Sequence, residues 1–272
     1  MAALLSVVPD TVPLMREPGY GRWEYRDYCD AVEIEVARFV DVVRGVDPAV
    51  AVPNCPGWTM AHLVKHHGTS QRRVKYVVRH RSQEPVWAKD VETGLPDDPT
   101  EYSAWFAAGA GPLVATLRAA DPDAPMWTNG ADQHVRYWAR RILFEAVVHR
   151  ADAELALGRR PHIGASTAVD GIDELLTNMP CFPWIAERQR ELNRPGETLH
   201  LGATEYHGEW MITLHRGGFT WKHEHGPATV AVRGTAGDLL LLSYGRLAPA
   251  DPRFAITGDD QLLTQWLESS AL

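Results

Sequence analysis

Cysteine is scarce in this chain, and the few cysteines present form no known pattern. The 272 residues include Cys29, Cys55 and Cys181, which lie far apart and form no Cys-x-x-Cys pair. An odd and sparse set of this kind argues against a disulfide framework and against a sulfur-ligated structural metal site. We therefore expect the protein to work in a reducing cytoplasm.

Long hydrophobic runs and clusters of positive charge are also missing. No stretch of 18 apolar residues occurs, and the first residues lack a basic segment and are interrupted by Pro9 and Pro13. These features exclude a membrane partner and argue against a secretory signal peptide. The net charge of -8 argues against a nucleic-acid partner, because binding to phosphates needs a basic surface.

Several common catalytic and nucleotide-binding motifs are absent as well. The sequence has no Gly-x-Gly-x-x-Gly after a predicted strand and no Gly-x-x-x-x-Gly-Lys, so nucleotide binding is not supported. It also has no Gly-x-Ser-x-Gly, the elbow on which many hydrolases carry a nucleophilic serine. Any catalytic site in this chain must therefore be built from residues outside these motifs.

What is present divides into two halves, and the length suits two modest domains. In the first half, apolar residues recur at steps of three and four, which predicts amphipathic helices. Four such helices are typical of a bundle. We place the helices within residues 23–44, 59–81, 101–120 and 133–157, in a bundle over residues 21–160 that follows an N-terminal extension over residues 1–20.

The second half changes its pattern after residue 160. A helical segment is followed by short alternating runs separated by glycines, which is typical of hairpins, and helical character then returns twice. We predict an α+β domain over residues 161–272 with a small antiparallel sheet. The fold class of the whole chain is therefore α+β.

Polar side chains interrupt the apolar stripe of the second predicted helix. His66 and His67 follow Leu63 at three and four residues, and His62 lies one turn before His66. At 100° per residue, His66 and His67 flank the apolar stripe on either side. At least one imidazole should therefore point into the bundle.

The fourth predicted helix shows the same irregularity. Its inward stripe runs through Trp138, Ile142, Glu145, His149 and Asp152. An unpaired buried carboxylate costs several kcal/mol, and a divalent metal removes that cost. Glu145 and His149 can reach one ion from the same helix face, and a histidine of the second helix would complete three ligands. Catalytic zinc uses this arrangement, with an open fourth position.

Plainer interpretations remain open for these residues. A Glu-x-x-x-His pair often forms only a hydrogen bond on a helix surface, and His67 could be an ordinary core histidine. His62 could be solvated. In the second half, His223 and His225 could bind a metal from one strand face, but an exposed hairpin is the simpler interpretation.

Two segments together resemble a known family. "CPGWTMAHLVKHHG" and "RRILFEAVVHRADAELALG" are similar to the mycothiol-dependent maleylpyruvate isomerase family, whose N-terminal domain is a DinB-like four-helix bundle. The stretches "GTAGDLLLLSYGRLAP" and "TGDDQLL" resemble its C-terminal domain, which is similar to sterol-carrier folds. The resemblance implies a metal, usually zinc, held by His66, Glu145 and His149, and mycothiol as the thiol co-substrate.

The resemblance also suggests roles for residues around the metal. A C-terminal arginine is functional in the isomerase, and Arg246 is our candidate, although it could only cap its helix. From their places on the helix, Asp152 could orient a ligand, bind the thiol or simply be solvated, and Arg141 could be a partner of the ligands or a surface ion pair. His62 and His67 have no family role and could line the mouth of the site.

These residues support three classes of function. The leading hypothesis is a zinc-dependent enzyme that activates a small thiol for S-transfer to an electrophilic small molecule, with thiol-dependent cis–trans isomerisation of maleylpyruvate type close behind. The second is a metal-dependent hydrolase that activates water at the same site. The third is a non-catalytic protein that binds an apolar small molecule. We expect a monomer or a dimer.

Overall fold

The structure, a computed structural model, describes residues 23–205 and 207–272, so the predicted extension over residues 1–20 lies outside it. The first half forms four helices, and the second half combines helices with a sheet, which confirms the α+β class. The helices of the first half are α1 (Tyr25–Val43), α2 (Met60–His80), α3 (Tyr102–Ala119) and α4 (Val135–Ala156). Each lies within a segment that the apolar periodicity predicted.

The four helices bury a common core. Phe39 of α1 packs against Phe106 of α3, with ring centroids 4.7 Å apart, and both side chains are fully buried. Of these four helices, α4 is the most enclosed, because buried residues occur on nearly every side of it. A helix that is enclosed in this way can hold polar side chains only where they find partners. The polar residues of α4 are therefore candidates for a functional site.

In its described residues, the second half contains four more α-helices and five strands. One helix was not predicted from the sequence: α6 begins at Pro183, a residue that suits the first turn of a helix because its missing N–H is not needed there. The elements are α5 (Ala165–Asn178), α6 (Pro183–Leu192), β1 (Thr198–Ala203), β2 (Glu209–His215), β3 (Gly218–Lys222), β4 (Val230–Gly234), α7 (Ala236–Ser243), β5 (Ala255–Gly258) and α8 (Asp260–Ser269).

The sheet is mixed, which corrects the prediction of an antiparallel sheet. Its strand order is β3-β2-β1-β4-β5, and β1 pairs in parallel with β4 while the other neighbours are antiparallel. The hairpins β1–β2 and β2–β3 were predicted from their glycines. After β3, however, residues 223–229 carry the chain past β2 to the far side of β1, where β4 runs in the same direction as β1.

The two halves meet where α4 packs on α5. The contact is close because Gly171 has no side chain: a Cβ there would lie 2.9 Å from the ring of Phe144. Asp170 of α5 also accepts hydrogen bonds from Tyr28 (2.9 Å) and from Arg140 Nη2 (2.8 Å). This packing lets side chains of the second half reach α4. Within the described residues, no helix is both long and apolar enough to cross a membrane.

Candidate metal centre

The first turns of α2 place His66 at the edge of the bundle. The helix begins after Thr59, whose backbone amide and hydroxyl lie 3.1 and 3.0 Å from His62 Nδ1 and so close its first turn. Leu63 is fully buried. His66 follows on the neighbouring face, with 44% of its side chain exposed. His66 therefore faces accessible space and not the core.

α4 supplies the acidic partner and a second imidazole. Glu145 and His149 lie one turn apart, and their side chains are 17% and 10% exposed. Asp152, a further turn along, is completely buried. The apolar residues Trp138 and Ile142 precede them on the same stripe, as the sequence predicted.

The three predicted ligand side chains converge. His66 Nε2 lies 3.0 Å from Glu145 Oε1, and His149 Nε2 lies 3.4 Å from the same oxygen. One donor atom from each of the three residues falls within 4.8 Å of the others. Two imidazole nitrogens and a carboxylate oxygen are a donor set that zinc accepts, with a fourth position left for a ligand.

A second carboxylate fixes the orientation of His149. Asp152 Oδ2 lies 3.0 Å from His149 Nδ1, which leaves Nε2 facing Glu145 and His66. Histidines that bind metals usually donate their other ring N–H to such a partner. The residues present therefore fit a divalent metal in their chemistry as well as in their spacing.

The charges of the cluster strongly shift the pKa values of Glu145 and His149. Burial alone would lower the pKa of His149, but Asp152 and Glu145 outweigh it and raise that pKa to about 9. Burial would raise the pKa of Glu145, yet His149, His66 and Arg141 hold it well below its usual value. In the metal-free protein at neutral pH, both ring nitrogens of His149 are therefore protonated. Nδ1 faces Asp152 and Nε2 faces Glu145, and a bound cation would take the place of the Nε2 proton.

Arg246 connects the second half of the chain to this cluster. Its Nε and Nη2 donate to Oδ1 and Oδ2 of Asp152 at 2.9 and 3.1 Å, and its Nη1 donates to the carbonyl of Tyr244 at 2.7 Å. Burial would raise the pKa of Asp152, but His149 and Arg246 hold it below its usual value. Arg246 thus forms a bidentate pair across the two halves.

Arg141 forms a second link between the halves. Its Nη2 donates to Glu145 Oε2 at 3.1 Å, while Nη1 donates to Glu174 Oε2 at 2.9 Å and to the hydroxyl of Tyr244 at 3.2 Å. Glu174 lies on α5 and is almost fully buried. The arginine therefore holds one oxygen of Glu145, while the other oxygen faces the two imidazoles.

Two other histidines near the start of α2, His62 and His67, are not among the three candidate ligands. His62 is held in the first turn by Thr59. His67 is fully buried between Phe39 and Phe106, and neither of its ring nitrogens has a hydrogen-bond partner among the described residues. Burial, together with the charge of His149, lowers the pKa of His67 to about 3, so its ring is neutral.

A cavity of about 560 Å³ opens beside the three ligands. This volume is within the range of small-molecule sites. His66, Glu145 and His149 line one part of its wall, and Arg246 lines another. The remaining wall mixes polar, aliphatic and aromatic side chains, and the aromatic ones include Trp58, Trp138, Phe182 and Trp184. The site can therefore present a metal to a small molecule that is held among aromatic rings.

Comparisons with known proteins agree with this architecture. The family profile described as the mycothiol maleylpyruvate isomerase N-terminal domain matches residues 29–154, and the profile described as the MDMPI C-terminal domain matches residues 166–265. The chain belongs to the mycothiol maleylpyruvate isomerase family. A search of curated proteins by sequence found no match.

Solved structures of one enzyme have a fold similar to that of this chain. The crystal structure of the mycothiol-dependent maleylpyruvate isomerase matches with a TM-score of 0.61 at 12% identity, over 86% of this chain and 93% of that chain. A variant of that enzyme, with one histidine replaced by alanine, matches with a TM-score of 0.57 at 13% identity and the same coverage. At this identity the likeness concerns the fold alone.

Sequence reasoning missed several residues that contact this candidate site. Ser70 Oγ donates to Glu145 Oε1 at 3.1 Å, and Cys55 Sγ lies 3.7 Å from Asp152 Oδ2. Ser70 lies one turn after His66, so helical phase could have found it. Glu174 and Tyr244 come from the other half of the chain, and no local pattern connects them to α4.

Proposed function

We propose that this protein is a zinc-dependent enzyme that activates mycothiol as a nucleophile toward an electrophilic small molecule. One observation carries the proposal: His66, Glu145 and His149 bring three donor atoms together on the wall of a small-molecule cavity. A site with three protein ligands keeps a position for an exogenous group, whereas structural zinc sites are usually closed by four. Membership of the family supports mycothiol as that group.

The metal would supply charge stabilisation. A divalent cation at the three ligands would favour the thiolate form of a bound thiol, whose free pKa is about 8.5. Glu145 and the two imidazoles would hold the cation. Asp152 keeps the proton of His149 on Nδ1, so that Nε2 can act as a ligand.

The protein would direct the thiolate sulfur toward the substrate. In an isomerisation, sulfur adds to one carbon of an activated double bond, and the electron pair moves to the conjugated carbonyl oxygen. The new single bond rotates, the electron pair returns, and the thiolate leaves unchanged. In an S-transfer, the sulfur displaces a leaving group or remains attached, so the thiol is consumed.

Arg246 is placed to act on the substrate in either reaction. Asp152 and the Tyr244 carbonyl engage three of its five N–H groups, and the side chain lines the cavity. We propose that a remaining N–H donates to an anionic or carbonyl oxygen of the substrate, as guanidinium groups do in many sites. Asp152 would then orient both Arg246 and His149.

Two features favour different outcomes within this chemistry. The family membership favours isomerisation of maleylpyruvate type. The aromatic side chains of the wall, and the pairing of Arg141 and Arg246 to carboxylates, suit an electrophile with an apolar part, although Arg73 adds a positive charge; on such a substrate with a leaving group, the thiolate would carry out S-transfer. The fate of the thiol distinguishes the two reactions.

The proposal is tested by turnover with and without mycothiol. The zinc-loaded enzyme should require the thiol. With maleylpyruvate it should return the thiol unchanged, and with an electrophile that carries a leaving group it should consume one thiol per product. His66→Ala should abolish the activity, whereas His80→Ala, at the exposed end of the same helix, should not. Turnover without any thiol would overturn the proposal in favour of a hydrolase, and zinc-loaded protein with no turnover at all would favour a binding protein.

A further inference from the structure

The second half contains another group of possible metal ligands, which lie on the sheet and on a segment beside it and not on α4. His200 lies on β1, Glu209 begins β2, and His225 lies in the segment 223–229 that crosses from β3 to β4. One donor atom from each of these residues falls within 4.8 Å of the others, as in the first site. Neither the family resemblance nor the proposed reaction explains this group.

The strand register explains how the first two residues meet. In the β1–β2 pair, His200 lies opposite Met211 and Gly202 lies opposite Glu209, so these four residues share one face of the sheet. Gly202 leaves space on that face, since a Cβ there would lie only 3.3 Å from the ring of His200. The carboxylate of Glu209 reaches across that space, and its Oε2 lies 2.8 Å from His200 Nε2.

The crossing segment brings the third residue. His223 Nδ1 lies 3.0 Å from the carbonyl oxygen of Glu209, which holds the start of the segment against β2. Two residues later, His225 Nδ1 lies 2.6 Å from Glu209 Oε2. The rings of His200 and His225 are nearly perpendicular, with centroids 5.3 Å apart. Both imidazoles therefore direct a nitrogen at the same carboxylate oxygen.

The burial of the three residues resembles that of a surface metal site. The side chain of His200 is 4% exposed and that of Glu209 is 26% exposed, whereas that of His225 is 72% exposed. An ion could therefore enter from solvent and still be held by a rigid, buried ligand. The exposed side would remain available for a water molecule as the fourth ligand.

We propose that His200, Glu209 and His225 form a second zinc site, which fixes the crossing segment 223–229 onto the sheet. Two imidazoles and one carboxylate are a donor set suited to zinc, and ligand atoms around tetrahedral zinc lie about 3.4 Å apart. The distances from Glu209 Oε2 to the two imidazole nitrogens, now 2.8 and 2.6 Å, would lengthen slightly when the ion replaces the protons shared between them. The ion would join β1, β2 and the connection between β3 and β4, and with water as its fourth ligand it would hold these three segments together.

The proposal is tested by counting zinc in three versions of the full chain. Wild type, His225→Ala and His215→Ala are equilibrated with zinc, freed of excess metal by gel filtration and analysed for zinc per chain. His215 is the matched control, because it is an exposed histidine of the same sheet that contacts Thr220 and not this cluster. We expect His225→Ala to bind one zinc fewer than both other proteins. Because the result is a difference, it does not depend on whether the site at α4 binds zinc.

A second variant and a second measurement complete the test. Glu209→Gln, which removes the shared carboxylate, should also lose one zinc. Added zinc should raise the unfolding temperature of wild type and His215→Ala more than that of His225→Ala, since metal bound only to the folded state stabilises it. Equal zinc contents in His225→Ala and His215→Ala would overturn the proposal and leave the cluster as an ion-paired group. Equal zinc-dependent increases in the unfolding temperature of His225→Ala and His215→Ala would also overturn the proposal.

Discussion

Replacing Asp152 by asparagine should impair both tasks that this residue performs. The side chain is completely buried and accepts from His149 Nδ1 at 3.0 Å and from Nε and Nη2 of Arg246 at 2.9 and 3.1 Å. Asparagine keeps the shape but removes the charge. The variant should therefore lose both the orientation of a metal ligand and the charge balance of a buried arginine.

The size of each loss follows from these contacts. Removing the partner of a metal-binding histidine typically lowers metal affinity 10- to 100-fold. Breaking a buried ion pair by removing one partner costs about 3–5 kcal/mol of folding free energy. Because the Arg246 side chain is still 13% exposed, we expect a loss near the lower end, about 3 kcal/mol.

Asp170→Asn is the matched control for this experiment. Asp170 is a buried partner of Arg140, at 2.8 Å, and lies away from the metal ligands. Both variants should lose about the same free energy of unfolding in urea when metal-free, by the same reasoning about buried pairs. Only Asp152→Asn should weaken zinc binding when a chelator competes for the metal. Equal zinc affinities in the two variants would refute the role assigned to Asp152.

Three further predictions concern the metal and its neighbours. His66→Ala should remove zinc, measured by elemental analysis, far more than His62→Ala, because only His66 faces Glu145; similar retention would mean that the wrong imidazole was chosen. Zinc affinity should rise about tenfold per pH unit up to about pH 9, because below that pH the metal must displace the proton of His149; a flat profile in competition titrations would contradict this. Arg246→Ala should keep its zinc but lose turnover, with partial rescue by Arg246→Lys, and full activity in the alanine variant would leave the arginine only its pairing role.

Local periodicity predicted most of the bundle and the positions of Glu145 and His149, while the family resemblance selected His66 as the third candidate ligand. The spacing from Leu63 to His66 and the steps from Trp138 to Glu145, His149 and Asp152 are properties of single helices. A buried stripe that contains a carboxylate and an imidazole is unusual enough to be noticed without any structure. The three ligand positions were therefore accessible from the sequence.

Features that depend on contacts between distant segments were not accessible in this way. Glu174 reaches Arg141 only because Gly171 lets α5 approach α4 closely. The parallel pairing of β1 with β4 depends on the path of residues 223–229, which the alternating pattern of the strands does not encode. For the same reason, His225 was grouped with its sequence neighbour His223 and not with His200.

The direct test of the central claim is X-ray absorption at the zinc edge, with and without mycothiol. The measurement uses the His225→Ala variant, so that only the site at α4 contributes. Without thiol, the zinc should show nitrogen and oxygen ligands alone. With mycothiol, we predict one sulfur ligand at about 2.3 Å, the usual zinc–thiolate distance. A shell of nitrogen and oxygen that does not change when mycothiol is added would contradict the claim that His66, Glu145 and His149 hold a metal for thiol activation.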